Sequence, residues 1–432
     1  MTDKEKNLAW WQLALIGVGC TIGTGFFLGS AIAIQQGGPA VVALFLMGAI
    51  ATYIVYDALS ILTANDPQEG SFRTYAKNAF GSWAGFSNGW VYWSSEMLIM
   101  GSQLTAISIF AQFWFPSMPI WVLSVIFGSL GVAVILLGVS GFEKVENIFG
   151  MMKIAAIIMF IIIGFLVIFG VIQGDTSWLT FTKDKLLPKG TIGIWTAFIY
   201  VLYAYGGIEV MGIMANELKE PKDAPKSGKV MLGLLSCIYI ISIGLCVWLL
   251  PIKAFNGDKS PFLLLLEKLD LTIITHIFNG ILIIGGFSTM VASLYGITTI
   301  LTNLSEDGDA PKLFSKKGKR NVPYYAVALT TSGLVLSIVI AFLIPDKVYE
   351  YITTAASLML IYIWIFILFT YSKLSKLTVI AKWKQRIGVL LLAVGVLGTL
   401  FDAIGRIGLL ISGVFLTVIS VVTIIVQKKQ VH

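Results

Sequence analysis

Two apolar segments of this 432-residue chain are interrupted by glycine near their centres. The first interruption is Thr21-Ile22-Gly23-Thr24-Gly25, and the second is Tyr205-Gly206-Gly207-Ile208-Glu209. In a membrane helix, such an interruption frees backbone N–H and C=O groups, which lipid cannot satisfy. Freed N–H groups at the start of a half-helix attract an anion, and freed carbonyl oxygens attract a cation. The pair of interruptions therefore predicts a binding site for a small charged molecule.

Close packing of helices is the alternative explanation for the first group of glycines. Gly19 and Gly23 are four residues apart, and so are Gly25 and Gly29. That spacing lets the backbones of two membrane helices approach each other closely. Packing explains a single group of glycines, whereas a second interruption in a corresponding segment favours a binding site.

Three charged residues, Glu96, Lys153 and Glu209, lie inside apolar segments. A charge at mid-membrane costs ~2.5–3.5 kcal/mol on insertion scales, so these residues require a partner, a proton or a function. Glu209 either accepts hydrogen bonds that hold unwound backbone or takes part in proton transfer. Glu96, ~20 Å into its segment, either faces a ligand, pairs with a buried donor or carries a proton. Lys153, only ~9 Å in, either acts inside the membrane or extends its ammonium group to water.

Membrane-spanning helices are needed to position these residues. The chain is 57% hydrophobic and 12% charged, which is typical of an integral membrane protein. A helix needs about 20 apolar residues to cross ~30 Å of hydrocarbon, and we find twelve candidate runs. The predicted spans 1 to 12 are residues 8–34, 39–64, 83–115, 119–140, 147–172, 192–216, 230–252, 272–302, 324–344, 348–371, 385–403 and 406–426.

The net charge of +7 is distributed unevenly over the segments that connect these spans. With the N-terminus inside, cytoplasmic segments hold 21 Lys and Arg residues, outer loops hold eight, and Lys153 lies within a span. This asymmetry predicts that both termini are cytoplasmic. The basic clusters in residues 312–320 and 373–386 then lie beside anionic headgroups, so membrane lipid is the expected partner and nucleic acid is not.

Several other classes of protein are disfavoured. Cys20, Cys237 and Cys246 lie in apolar runs without metal-ligand spacing, so we predict no metal site and no cofactor. The chain has two histidines and no HExxH, GxSxG or Walker A sequence, so we predict neither an enzyme nor an ATP-driven pump. Nothing in the short loops indicates a soluble module or an obligatory protein partner.

Two of the longer loops have distinct predicted positions relative to the membrane. Residues 64–82 form an amphipathic segment on the cytoplasmic side. Residues 254–271 are predicted to form a short helix on the outer surface, either a lid or an interfacial helix without a gating role.

Five motifs occur in an order that gives the chain a family resemblance. They are Thr21-Ile22-Gly23-Thr24-Gly25-Phe26-Phe27-Leu28-Gly29, Pro67-Gln68-Glu69-Gly70-Ser71-Phe72, Asn88-Gly89-Trp90, Tyr203-Ala204-Tyr205-Gly206-Gly207-Ile208-Glu209 and Glu306-Asp307-Gly308-Asp309-Ala310-Pro311-Lys312. Together they resemble the amino acid–polyamine–organocation (APC) superfamily, and most closely its amino-acid permease branch, over essentially the whole chain. The chain departs from the family pattern at Ile61 and Gln103, where many members carry an acid. Glu96 lies seven residues before Gln103.

The resemblance implies an all-α integral membrane fold of the LeuT-like type. In it, 12 transmembrane helices form a single domain over residues 1–432, and helices 1 and 6 are discontinuous. Residues 8–172 and 192–371 are expected to be five-helix units of opposite topology, a 5+5 inverted repeat. Residues 383–427 then add helices 11 and 12. The expected location is the plasma membrane, which is the inner membrane in a bacterium.

The resemblance also implies roles for individual residues. The expected substrate-binding residues are Thr21, Ile22, Gly23, Thr24, Gly25, Glu96, Tyr203, Ala204 and Gly206. Relatives use the aromatic ring at the Tyr203 position as a gate over the substrate, although an ordinary buried tyrosine is the alternative. In proton-coupled relatives, a lysine matching Lys153 replaces a sodium ion held between helices 1, 5 and 8. Lys153 is therefore an expected proton-coupling residue. Glu209 is the second, because of its own position inside an apolar segment.

The function that the resemblance implies is import of an amino acid by alternating access, with proton symport as the expected coupling. Exchange of one amino acid for another on the same fold is the main alternative. Sodium-coupled symport and a nutrient sensor that binds without transporting are two further alternatives.

Overall fold

The computed structural model describes residues 8–68, 70–137, 142–172, 186–318, 322–345 and 347–431. Within these ranges the chain is almost entirely helical, and the β pairing is limited to one bridge between Leu8 and Leu218. Helices suit a lipid environment because they satisfy their own backbone groups. In chain order, the α-helices α1 to α17 are Trp10–Thr21, Thr24–Phe27, Gly29–Gly37, Val41–Asn65, Phe72–Phe80, Ser82–Gln112, Ile120–Leu137, Phe142–Ile168, Gly190–Ala204, Ile208–Met214, Ala224–Leu249, Pro261–Lys268, Thr272–Glu306, Tyr324–Leu343, Val348–Leu374, Val379–Gly398 and Ala403–Val431.

Ten helical segments of the described chain are long and apolar enough to cross a membrane. They do not include α1, which the first interruption cuts short, or α6, which contains the polar residues Ser94, Ser95, Glu96 and Gln103. The total of twelve spans therefore stays a prediction. At the C-terminal end, α17 begins at Ala403, and the Gly405 N–H donates a hydrogen bond to Asp402 Oδ2 (3.3 Å).

The helix α6 lies at the centre of the bundle, where it contacts α7, α13, α14, α15 and α17. The two interrupted segments lie beside each other, with α2 and α3 against α9, and α1 against α10. Both α16 and α17 lie at the periphery and leave most of their apolar surface exposed. The interrupted helices therefore meet inside the protein, where irregular backbone does not contact lipid.

The two ends of the bundle differ in what they hold. The α5 end contains the start of α1, the helix α5 and the loop after α13, where Arg73 forms ion pairs with Asp307 (2.7 Å) and Asp309. The α12 end contains α12 and the start of α13. The distribution of Lys and Arg predicts that the α5 end faces the cytoplasm.

The helix α12, predicted within residues 254–271, is inserted into the bundle. Its side chains Phe262, Leu263, Leu265 and Leu266 are at most 2% exposed. The Phe262 ring centroid lies 5.1 Å from that of Phe26 in α2. The opposite side of α12 is open, since Glu267 is partly exposed and Lys268 is exposed. This arrangement fits a lid and also an interfacial helix, which leaves one face open to headgroups.

Candidate substrate site

The first interruption is an offset in the helix backbone at Ile22 and Gly23. After α1 ends, Ile22 (φ −68°, ψ 97°) and Gly23 (φ −137°, ψ −165°) are extended, and α2 begins at Thr24. The N–H groups of Phe26 and Phe27 both donate to the Gly23 carbonyl, at 3.1 and 3.0 Å. A Cβ atom on residue 23 would meet nothing closer than the Thr21 carbonyl oxygen, at 3.9 Å. The position where residue 23 would carry a side chain is therefore open space.

The second interruption is a turn between α9 and α10. The Tyr205 and Gly206 N–H groups donate to the carbonyls of Leu202 (3.1 Å) and Tyr203 (2.9 Å). Gly207 follows with φ 108°, a left-handed conformation that favours glycine over residues with a Cβ. This left-handed residue ends the turn, and α10 begins at the next residue, Ile208.

Tyrosine hydroxyls from other helices bind backbone carbonyls at both interruptions. The Tyr239 hydroxyl of α11 lies 2.9 Å from the Ala204 oxygen and 3.4 Å from the Thr21 oxygen, so it links both interruptions. The Tyr349 hydroxyl of α15 donates to the Thr24 oxygen at 3.1 Å. Sequence reasoning missed both residues, because a tyrosine in an apolar helix is indistinguishable from an ordinary core residue.

Glu209 is fully buried and accepts two hydrogen bonds. Its Oε1 atom accepts from the Gly207 N–H at 3.1 Å, and its Oε2 atom accepts from Trp364 Nε1 at 3.2 Å. The Glu209 carboxylate therefore connects the second interruption to α15 through hydrogen bonds. These contacts match the structural alternative stated for Glu209 above.

A cavity of about 400 Å³ lies where the two interruptions meet α6 and α13. Seven of the predicted substrate-binding residues line it: Thr21, Gly23, Thr24, Gly25, Glu96, Tyr203 and Gly206. The side chains of Ile22 and Ala204 belong instead to the surrounding hydrophobic core. The cavity is also lined by Thr289 and Ser293 of α13, which sequence reasoning missed because α13 is uninterrupted.

Two buried oxygen atoms in the cavity wall lack a hydrogen-bond partner in the described chain. They are Thr21 Oγ1 and Gln103 Oε1. Buried polar atoms in proteins are usually satisfied. Both atoms are enclosed in this conformation, so a ligand in the cavity would bind them only after a local side-chain movement.

Tyr203 covers one side of this cavity. Its ring lies against Gly25, where a Cβ atom would come within 2.8 Å of the ring carbon Cδ1. Its hydroxyl forms a hydrogen bond with the Ser102 hydroxyl of α6. Tyr203 thus bridges the first interrupted helix and α6.

Lys153 lies outside the cavity lining, between α8 and α13. A Cβ atom on Gly285 would come within 2.8 Å of its Cγ and Cδ atoms, and the residue is only 3% exposed. Three residues earlier, Gly150 packs against Gly19 of α1. In this conformation the side chain is enclosed at the junction of α1, α8 and α13 and does not reach bulk water.

The fold and the cavity define a multi-pass membrane transporter. A family model described as "Amino acid permease" matches residues 12–429. The chain belongs to this family, whose members are transporters and not enzymes. The predicted family resemblance is thereby confirmed.

Individual relatives agree with this assignment. The uncharacterized transporter YcgH of Bacillus subtilis (strain 168) is 52% identical over 433 residues, which cover 100% of this chain and 97% of that protein. The aromatic amino acid transport protein AroP of Corynebacterium glutamicum is 31% identical over 84% of this chain and 80% of that protein.

A solved structure shows the same fold. A crystal structure of a mutant manganese transporter from Eremococcus coleocola matches 97% of this chain and 96% of that chain, with a TM-score of 0.61 and 12% identity. At that identity the likeness concerns the fold alone. The residues described for this chain contain no group of three or more His, Cys, Asp and Glu side chains able to hold a metal ion.

Proposed function

We propose that this chain imports an amino acid across the plasma membrane by alternating access, together with a proton. The observation that carries the proposal is that both interrupted helices meet at one cavity, which is covered at one end and extends to the other. The names of the aromatic amino acid transport relatives support an amino acid as the substrate class.

The cavity is covered towards the α12 end. There, Tyr203 binds Ser102, and Tyr349 binds the Thr24 carbonyl. In the other direction, Gly70 and Arg73 line the cavity, so it extends to the α5 end. If the α5 end is cytoplasmic, as the charge distribution predicts, this conformation is open to the inside.

The backbone at the interruptions offers partners for both charges of an amino acid. The N–H groups from Gly23 to Gly25 would bind its carboxylate. The carbonyls at the end of α9 would bind its ammonium group. Of these residues, Tyr203 lines the cavity, and its carbonyl already accepts one hydrogen bond, which leaves a second lone pair for the ligand.

Lys153 supports proton coupling over sodium coupling. Its buried side chain already fills space between α8 and α13, the helices that correspond to spans 5 and 8. One net positive charge moving through 100 mV contributes about 2.3 kcal/mol. That corresponds to roughly 50-fold accumulation of a zwitterion, since 1.4 kcal/mol is a factor of ten. A proton alone is therefore sufficient for nutrient uptake.

Uptake into proteoliposomes tests the proposal. We expect accumulation of a labelled amino acid when the outside is acidic, with no requirement for sodium or ATP, and abolition by a protonophore. Uptake that occurs only against internal amino acid, regardless of the pH gradient, would replace symport with exchange. Binding without any flux would indicate a sensor.

A further inference from the structure

The charge of the cavity is unbalanced. Among the described residues that line it, Glu96 is the single acid and Arg73 the single Lys or Arg. Arg73 is already paired with Asp307 and Asp309. The Glu96 carboxylate forms no hydrogen bond or ion pair with the described part of the chain. We infer that the substrate has a cationic side chain, whose terminal ammonium or guanidinium group binds Glu96. This inference rests on the proposed function.

The cavity wall matches a side chain with an apolar stem and terminal N–H donors. Glu96, Ile99 and Gln103 recur at three- and four-residue spacing, so they follow one face of α6, and all three line the cavity. Ile99 and Val210 supply apolar surface for methylene groups. The Glu96 carboxylate and the unpartnered Gln103 Oε1 are both acceptors, and an ammonium or guanidinium group is a donor only.

The α12 end contains a second cavity of about 570 Å³ that is also acidic. Asp258 and Glu350 line it, and one base, Lys347, lies 3.0 Å from Glu350. Tyr349 lines this cavity too, while its hydroxyl binds the Thr24 carbonyl at the wall of the first one. A negatively charged cavity raises the local concentration of cations. Both cavities therefore favour a positively charged substrate.

Calorimetric titration of the purified protein with L-lysine and L-norleucine tests the inference. Norleucine has the same carbon chain as lysine and lacks the terminal ammonium group. We expect lysine to bind at least roughly tenfold more tightly, as a charge-assisted hydrogen bond in a partly buried site provides. If the wild-type protein binds norleucine as tightly as lysine, the inference is wrong.

Variants at Glu96 assign the effect to its charge. Glu96→Gln keeps the shape, and it should weaken lysine binding at least roughly tenfold and so remove the preference for lysine over norleucine. Glu96→Asp retains the charge and should retain the preference for lysine. Glu306→Gln is the matched control, because Glu306 is half-exposed, pairs with Lys317 and does not line the cavity. Unaltered lysine affinity in Glu96→Gln would refute the inference.

The inference and the proposed function fail in different ways. If norleucine or phenylalanine binds and is transported, and lysine is not preferred, the inference of a cationic substrate is wrong. The proposed function, amino acid transport, is then still supported. If none of the three amino acids binds, the proposed function is wrong as well. If Glu96→Gln abolishes pH-driven uptake of norleucine, Glu96 carries the proton, and the inference is also wrong.

Discussion

At the residue scale, two glycines of the first interruption have different tasks. Gly25 permits close approach, because a Cβ atom there would come within 2.8 Å of the Tyr203 ring. Gly23 has an extended conformation that any residue adopts, so its backbone does not require glycine. What Gly23 provides is empty volume on the cavity side.

Gly23→Leu should therefore abolish substrate binding and leave membrane insertion intact. The leucine side chain would project into the cavity, where the N–H groups of the interruption lie. Calorimetric titration of the purified variant with lysine and phenylalanine measures the loss. Gly233→Leu in α11 is the control, since a Cβ atom there meets nothing within 4 Å and residue 233 is exposed. Wild-type affinity in Gly23→Leu would exclude binding at the first interruption.

Lys153→Ala should abolish uptake driven by a pH gradient and spare part of the exchange activity. The substitution removes the Lys153 charge beside Gly285 of α13 and leaves the cavity lining unchanged. Proteoliposome uptake with and without an imposed pH gradient measures the first effect, and counterflow measures the second. A variant that concentrates substrate as well as the parent protein would show that Lys153 does not couple transport to protons.

At the scale of elements, the interruptions depend on helices that contain no interruption themselves. Tyr239 of α11 contacts the carbonyls of Thr21 and Ala204, and so connects both breaks. Trp364 of α15 holds Glu209, which in turn holds the Gly207 N–H. Each break is therefore stabilised by an intact helix, which satisfies groups that would otherwise be buried without a partner.

Tyr239→Phe should lower both stability and substrate affinity. Leaving a buried carbonyl unsatisfied costs about 1–3 kcal/mol, and the two breaks lose their common anchor. Thermal unfolding in detergent and calorimetric titration measure the two effects. Tyr362→Phe is the control, because its hydroxyl bonds Ser412 between α15 and α17, away from the breaks. It should affect stability only, and equal loss of affinity in both variants would contradict a specific role for Tyr239.

At the scale of the whole molecule, the cavity is reached from one end. Tyr203, Tyr349 and the inserted α12 separate it from the α12 end, and its lining extends to Arg73 at the α5 end. Alternating access requires the opposite arrangement in a second conformation. The Phe262 contacts with α2 and the two tyrosine hydrogen bonds must then release together.

Chemical labelling of Cys20 measures which end is open. Cys20 lines the cavity, so a chain that also carries Cys237→Ser and Cys246→Ser keeps one cysteine at this place. We expect a membrane-impermeant maleimide to label it in inside-out vesicles and not in right-side-out vesicles, with protection by substrate. The reverse pattern would show that the α5 end faces outside. A triple variant that also carries Cys20→Ser controls for background labelling.

Much of the fold was predictable because hydropathy and backbone chemistry are local properties. Apolar runs predicted where helices occur, and ten helical segments of the described chain are long and apolar enough to cross a membrane. The glycine clusters located both interruptions to within a residue or two, since helix α1 ends at Thr21 and helix α9 ends at Ala204. The family resemblance rested on motifs at these same positions and is confirmed by a match over residues 12–429.

What the sequence could not provide were contacts between distant positions and the choice of one conformation. Tyr349 lies 325 residues from Thr24, and no pattern in either segment indicates their hydrogen bond. Burial of α12 against Phe26 and enclosure of Lys153 over Gly285 likewise depend on neighbours from other helices. Sequence alone therefore determined which backbone groups lose their helical partners, because that depends on residue type. Only the tertiary structure decided which side chains replace those partners and at which end the cavity opens.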